Sequence, residues 1–300
     1  MKPLVIGIGE ILWDQLPSGP RMGGAPANFA CHACALGAES HIVSRVGDDV
    51  LGAGLIRNLI DLGLPVSGIT IDPIHRTGIV AVSLLADGQP LFTIAPNVAW
   101  DHLVSDPGME RLFARADAVC FGSLAQRAAT SAATIRALVA ATRPTALRVF
   151  DVNLRQQYFD TATIVASLEL ANVLKLNDAE LPQIVSMLGI SGSVRECLTS
   201  LHARFGLRLV ALTRGAAGSI LFDGIESCEH SGLAVEVCDT IGAGDSFTAA
   251  VTMGLLHCWP LTMISELANQ VAAHVCSQSG ALPRLPDAIL ARFQHETIPC

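Results

Sequence analysis

The segment Cys238-Asp239-Thr240-Ile241-Gly242-Ala243-Gly244-Asp245-Ser246-Phe247 has the composition of a reaction centre. A β-branched run ends at Val237, small residues follow, and an Ala-rich stretch opens at Ala243. That order predicts a strand-to-helix switch in which Gly242 and Gly244 let the backbone approach a ligand closely. The first turn of such a helix carries N–H groups without intrahelical acceptors, and its positive end attracts phosphate oxygens. Asp245 falls in that turn, beside the anion hole. A lone Asp there would simply cap the helix; two glycines, a second carboxylate at Asp239 and the change of element together favour a catalytic base. A carboxylate at a helix amino terminus stays ionised at neutral pH. It is a weak base, but phosphoryl transfer through a loose transition state needs mainly positioning and late proton acceptance. The backbone N–H groups of Ala243 and Gly244 would stabilise charge on the transferring group.

A second small-residue segment, Gly23-Gly24-Ala25-Pro26-Ala27-Asn28-Phe29-Ala30, also opens a helix. Asn28 in its first turn can both donate and accept, which suits the hydroxyls of a sugar. A third feature, Cys31-His32-Ala33-Cys34, has metal-ligand spacing but no second such pair. On a helix these cysteines share one face, so they read as core thiols.

The elements that must position these groups follow from the hydrophobic pattern. Buried strands are expected at Leu4–Gly9, His41–Val46, Ala118–Gly122, Arg148–Val152, Val173–Leu176 and Arg208–Thr213. Helices are expected at Ala27–Leu36, Leu51–Leu62, Ala129–Ala141, Thr161–Leu170, Ala179–Leu188 and Val194–Phe205. This alternation implies right-handed crossovers and an α/β, doubly wound, mainly parallel sheet flanked by helices. Past Thr213 the pattern turns to short antiparallel edge strands at Ser219–Phe222, Gly224–Cys228 and Ala234–Val237, then to helices from Ala243, Leu261 and Asp287. Thr77–Ala86, the turn Asp87-Gly88 and Pro90–Ala95 read as a hairpin. With Ile11–Leu16 it would form a small β-sheet lid over a ligand. The expected organisation is one domain over residues 1–300, with lid segments at approximately 11–23 and 69–97 inserted in it.

Composition limits the function. Hydrophobic residues make up 51% and charged residues 15%, so a large core can form, and with aromatics at 5% it must be built from Ala, Val, Leu and Ile. The formal net charge of -8, with no Lys/Arg run, argues against nucleic acid as a partner. The amino-terminal apolar run is too short for a signal or a membrane span, so a cytoplasmic location without membrane attachment is expected. Nine scattered cysteines read as reduced thiols rather than a disulfide framework.

The two glycine-rich segments, about 200 residues apart, together resemble the ribokinase-like (PfkB) family of carbohydrate kinases. The amino-terminal motif runs from Gly23-Gly24 through Asn28 and Ala30 to Gly37 and Gly47. The carboxy-terminal motif is matched from Asp239 through Asp245 to Ala249-Ala250. The likeness extends over nearly the whole chain and is nearest to bacterial fructokinases, through Gly9-Glu10-Ile11-Leu12-Trp13-Asp14, Gly24 to Asn28, Asn97-Val98-Ala99-Trp100-Asp101 and Asp151-Val152-Asn153-Leu154-Arg155.

The resemblance implies further roles. Asp14, Gly24, Asn28 and Asn97 would bind the sugar, and Arg155 would approach the phosphates. Asn177 and Glu180 resemble the family's Asn-x-x-Glu element, which acts on Mg²⁺ and phosphate partly through water; the same pair can form a helix-capping box, and both readings are compatible. Thr213, Arg214, Gly215 and Asn269 resemble positions near the ribose and adenine of ATP. Asp239 and the Gly280-Ala281-Leu282-Pro283 segment resemble the loops that hold a monovalent cation, K⁺, in many relatives; Arg284 departs from the pattern where some relatives have a small hydroxyl residue.

The expected activity is ATP-dependent phosphorylation of a hexose hydroxyl, with fructose as first choice. Other acceptors, namely 2-keto-3-deoxygluconate, ribose or a nucleoside, are the nearest alternatives. A non-catalytic kinase-like binding protein would be expected to lose the base or the glycines, which are all present. A dinucleotide oxidoreductase fits poorly, since Glu10-Ile11-Leu12 follows Gly7-Ile8-Gly9 without completing a G-x-G-x-x-G motif. Exposed lid strands would favour a homodimer.

Overall fold

The computed structural model of the chain describes residues 2–16, 19–84 and 90–295. In chain order, β1 (Leu4–Ile8) leads into β2 (Leu12–Leu16) and β3 (Gly19–Gly23), then α1 (Ala25–Ala35), β4 (Glu39–Gly47), α2 (Val50–Asp61) and β5 (Ile69–Asp72). The strands β6 (Gly78–Leu84) and β7 (Pro90–Ile94) precede α3 (Pro107–Phe113), β8 (Ala118–Phe121), α4 (Ala129–Ala140), β9 (Leu147–Asp151) and α5 (Thr161–Leu170). Next come β10 (Val173–Asn177), α6 (Leu181–Met187), α7 (Val194–Phe205), β11 (Leu209–Thr213), β12 (Ser219–Phe222) and β13 (Ser227–His230). Three helices close the chain: α8 (Ala243–Leu256), α9 (Leu261–Cys276) and α10 (Asp287–His295).

Every residue of β1 is buried, as are those of β8, because both faces of their sheet are covered. Alternate side chains separate into two cores. Val5, Ile42, Cys120 and Val149 pack on one side with residues of α1, α2, α8 and α9. Ile6, Ile8, Val43, Phe121 and Phe150 pack on the other with residues of α3 to α7. The nine-stranded sheet has the order β13-β12-β11-β10-β9-β8-β1-β4-β5, parallel except for the two β12 pairings. From β1 the chain winds one way through β4 and β5, then returns on the other side from β8 outward. The switch point therefore lies between β1 and β8, and loops beyond the strands' carboxyl ends diverge there to leave a crevice. No described helix is long and apolar enough to cross a membrane.

The small sheet has the order β3-β2-β6-β7. Its second segment starts at Gly78, later than expected: Ile69–Asp72 pairs in parallel with β4 at the edge of the large sheet instead. The Asp87-Gly88 turn lies outside the described residues.

The antiparallel edge is shorter than expected. Asp223 accepts from the N–H groups of Ile225 and Glu226, which makes a turn of residues expected to start a strand, so β13 begins at Ser227. No strand forms at Ala234–Val237. Gly232, at a φ of +84°, donates to His230 Nδ1 and turns the chain off the sheet, leaving Val237 exposed. Helix α3 was not anticipated; Asp106 caps it by accepting from Gly108 and Met109 at 2.6 and 2.9 Å, so Asp-Pro-Gly here starts a helix rather than a turn. Cys31 and Cys34 are free thiols on α1, Cys31 buried. Cys258 departs from the expectation of reduced thiols, being disulfide-bonded.

Candidate active site

A cavity of roughly 470 Å³ occupies the crevice between the two sheets. The large sheet supplies Glu10 after β1, Asn153 and Arg155 after β9, Lys175 and Asn177 from β10, and Glu180 before α6. The helix-opening segments add Gly24, Ala25 and Asn28 on one side and Gly242, Gly244 and Asp245 on the other. Leu12, Asp14, Val80 and Ile94 of the small sheet complete the wall.

Gly242 caps α8 with a φ of +77°, and a Cβ there would come within 2.7 Å of Ala281. Only glycine fits this turn. The first helical hydrogen bond runs from Ser246 N–H to Gly242 O at 2.9 Å, while Ala243 N–H makes only a long 3.4 Å contact with Thr240 O. The N–H groups of the helix's first turn thus lack intrahelical acceptors where Gly242, Gly244 and Asp245 line the cavity. Gly244 packs against Lys175, whose Nζ would lie 3.0 Å from a Cβ at that position.

Asp245 Oδ2 accepts a 2.8 Å hydrogen bond from Asn28 Nδ2, which joins the two glycine-rich segments across 217 residues of sequence. Burial raises the Asp245 carboxyl to about 6, and Asp151 adds to the rise; Asn28, Lys175 and Arg155 oppose it. Helix placement alone favours the anion, but burial outweighs it and makes Asp245 a stronger proton acceptor that is still mostly ionised at neutral pH.

Behind this turn lies a buried ion pair. Lys175 Nζ donates to Asp151 Oδ1 at 3.0 Å, and Thr248 Oγ1 donates to Asp151 Oδ2 at 2.7 Å and contacts Gly244 O at 2.9 Å. The pair ties α8 to β9 and β10, and it raises the Lys175 pKa against the effect of burial. Sequence reading missed both residues. Lys175 sits in an otherwise apolar strand, and that burial of a charge was the available signal.

Asn177 and Glu180 form the expected reciprocal box: Asn177 Oδ1 accepts from Glu180 N–H and Glu180 Oε2 from Asn177 N–H, both at 2.9 Å. Glu180 Oε1 also accepts from Leu154 N–H at 2.9 Å, fixing the loop that carries Arg155. Glu180 lines the cavity and each of its oxygens has capacity for a further hydrogen bond, which fits outer-sphere contact with a hydrated Mg²⁺. Asp14 is raised to about 6 by burial, with Arg155 opposing and Asp239 adding to the shift. Burial also lifts Glu10 to about 7.

Other expected residues stand apart. Asn97 is exposed at a φ of +52°, its Oδ1 paired with His102 Nε2 at 2.8 Å, and it does not line the cavity; Ile94 and Val80 do so from that region. Thr213 is in register with Asn177 at the end of β11, but Thr213, Arg214, Gly215 and Asn269 do not line the cavity. Arg214 pairs with Glu229 at 2.6 Å, and buried Asn269 donates to Ser219 Oγ at 2.8 Å. The two Asp239 oxygens accept from Ile241 N–H and Gly280 N–H at 3.0 and 3.1 Å, joining the two loops named for the cation. Arg284 extends into solvent toward Asp287.

A family profile described as pfkB family carbohydrate kinase matches residues 19–288. An uncharacterized sugar kinase of Pyrococcus horikoshii, PH1459, is 30% identical over 92% of this chain and 88% of its own length. Its crystal structure superposes with a TM-score of 0.82, covering 98% of this chain and 99% of that one. A fructokinase of Escherichia coli is 27% identical over 95% of this chain and 97% of its own. A fructokinase of Vibrio cholerae, solved as a double mutant with fructose, ADP and potassium ion bound, is 26% identical with a TM-score of 0.80, covering 97% and 98% of the two chains.

Proposed function

The chain belongs to the pfkB family of carbohydrate kinases, and from that premise we propose that it transfers the γ-phosphoryl group of ATP to a hydroxyl of fructose, with Asp245 as base. The observation that carries this reading is the Asn28–Asp245 bond at the amino terminus of α8. It brings a sugar-type amide, a carboxylate and an anion hole to one point of one cavity. Fructose is favoured by the fructokinases of E. coli and V. cholerae among the relatives, the second bound to fructose.

In the reaction, Asp245 accepts the proton of the acceptor hydroxyl as its oxygen bonds to the γ-phosphorus. The bond from phosphorus to the bridging oxygen breaks and ADP leaves. The first-turn N–H groups from Gly242 to Gly244 hold the transferring oxygens, and Arg155 offsets their charge. Asp14, Gly24 and Asn28 orient the sugar. Mg²⁺ accompanying the nucleotide supplies further charge neutralisation, and Asn177 and Glu180 would hold it through water. Thr213, Arg214, Gly215 and Asn269 would face the nucleoside. Asp239 and the Gly280 loop would hold K⁺, as the potassium-bound relative suggests. The small sheet acts as a lid that keeps water from the phosphoryl group, and its outer edges, β3 and β7, offer backbone for pairing with a second copy.

A panel of sugars with coupled ADP detection tests the assignment. Phosphorylation of fructose with the highest kcat/KM is expected. No ADP release with fructose, alongside turnover of ribose, a nucleoside or 2-keto-3-deoxygluconate, would reject fructose while keeping the kinase chemistry.

A further inference from the structure

Two buried polar atoms in the cavity wall have no hydrogen-bond partner among the described residues: Asn28 Oδ1 and Glu10 Oε2. Buried polar atoms are nearly always paired, so each such orphan asks for a ligand. Asn28 already has a role on the sugar side. Glu10 has none, yet its side chain is 2% exposed and lines the same cavity as Asp14 and Asp245. The backbone beside it is closely packed, since a Cβ at Gly24, where φ is +112°, would collide with Glu10 O.

The chemistry of the surroundings narrows the ligand. No group of three acidic, His or Cys residues suited to a metal ion occurs among the described residues, so Glu10, Asp14 and Asp245 do not form a cation site. Lys175 bonds to Asp151, and the cation that opposes the pKa rise of Glu10 is Arg155, which makes no hydrogen bond to Oε2. Burial lifts the Glu10 carboxyl to about 7, and a carboxyl oxygen can accept a hydrogen bond in either protonation state, so Oε2 is matched by a neutral donor such as a hydroxyl. Glu10, Asp14, Glu180 and Asp245 outnumber Arg155 and Lys175 along the wall, so the net field disfavours a substrate that carries its own carboxylate.

We propose that Glu10 Oε2 accepts a hydrogen bond from a substrate hydroxyl, and that Glu10, with Asp14 and Asp245, reserves the cavity for uncharged sugars over sugar acids. The inference rests on the sugar-kinase reading of this cavity and deepens it by naming the substrate class. It excludes 2-keto-3-deoxygluconate as the preferred acceptor. It also makes Glu10 a specificity determinant, acting on the sugar and not on the nucleotide.

The test uses the full chain with saturating ATP. Acceptors are the neutral sugar that the wild type phosphorylates best, its monodeoxy analogues, and 2-keto-3-deoxygluconate; proteins are wild type, Glu10→Ala and Glu10→Gln. Expected for the wild type is a loss of at least about tenfold in kcat/KM with one deoxy analogue, the size of one hydrogen bond to a charged group. Glu10→Ala should erase that discrimination for the same hydroxyl only, raising the sugar KM about 10- to 100-fold while the KM for ATP stays within twofold. Glu10→Gln should narrow the preference for neutral sugar over sugar acid by about tenfold, and it answers the question if the Ala variant fails to fold. A merely structural Glu10 would shift both KM values together or leave the deoxy profile unchanged, and either result overturns the proposal. A wild type that prefers the sugar acid overturns the proposal and leaves the kinase reading intact. One that phosphorylates neither class overturns both.

Discussion

The two halves of the cavity, a phosphate side and a sugar side in the proposed kinase, use carboxylates in opposite ways. On the phosphate side, Asp151 is held by Lys175 and Thr248, Glu180 by two backbone N–H groups, and Asp239 by two more. On the sugar side, Glu10 keeps an unpartnered oxygen, and burial raises both Glu10 and Asp14. The first half is complete within the chain, which is how preorganised dipoles stabilise developing charge without further rearrangement. The second half is chemically unsatisfied and would be completed by hydroxyl donors. Asp245 sits on the seam, bonded to Asn28 on the sugar side and backed by Lys175 and Asp151 on the other.

The largest effect is expected at that seam. Asp245→Asn keeps shape and removes the base, so turnover should fall by about 10³-fold or more, in the range that a positioned general base supplies. The sugar Kd, measured by calorimetry, should stay within a few-fold. Near-normal turnover would show that the seam does not hold the base.

Next in size is the wall behind it. Lys175→Met would strand the buried Asp151 charge and should cost about 3–5 kcal/mol of stability, read by urea unfolding. Lys175→Met with Asp151→Asn should recover much of that loss, because both partners of the pair are then gone. If the single variant lost under about 1 kcal/mol, a figure typical of solvated pairs, the phosphate side would be no better organised than the sugar side.

Much of this contrast was legible in the sequence, for reasons that differ by residue. Gly242, Gly244 and Asp245 announce themselves through local spacing, because a helix start and an anion hole are local structures. The parallel strands were legible because burial on both faces leaves near-continuous apolar runs. The Asn28–Asp245 bond joins residues 217 apart, and periodicity contains no information about such pairs. Lys175 and Asp151 were passed over because each looks ordinary alone; only their register on adjacent strands makes them partners. Asn97 was misplaced for the reverse reason. Its motif marks the end of the lid hairpin, but at a φ of +52° its side chain turns to His102 and away from the cavity. The Ala234–Val237 strand failed at Gly232, where one left-handed residue redirects an otherwise β-prone run.

A smaller effect separates the halves by pH. Asp245 and Asp14 both lie near 6, and the proposed reaction needs both ionised, one as base and one as acceptor. The kcat/KM for sugar should therefore fall as pH drops below about 6, approaching a hundredfold per unit where both are protonated. Asp14→Asn should reduce the limiting slope to tenfold per unit. An unchanged slope would remove Asp14 from the titration and leave Asp245 as the group observed.

The smallest effect concerns stability, and here the sugar side should behave oppositely to the Lys175 wall. A carboxyl whose folded pKa is raised to about 6, from about 4 in the unfolded chain, holds its proton longer when folded. Between these values the native state binds more protons than the unfolded state, so this group lowers stability as pH rises through the window. The penalty is absent below about pH 4 and fully present above about 6. Asp14→Asn removes it; a shift of about two units corresponds to about 2.7 kcal/mol, and because solvent screens a half-buried group the gain at pH 8 should be reduced to about 1 kcal/mol. At pH 3 the same variant should match the wild type in urea unfolding. Its sugar KM should rise even as its stability does, since the group that strains the fold is the one that binds the ligand. A gain of equal size at both pH values would trace the effect to packing, and the sugar side would then be no more strained than the phosphate side.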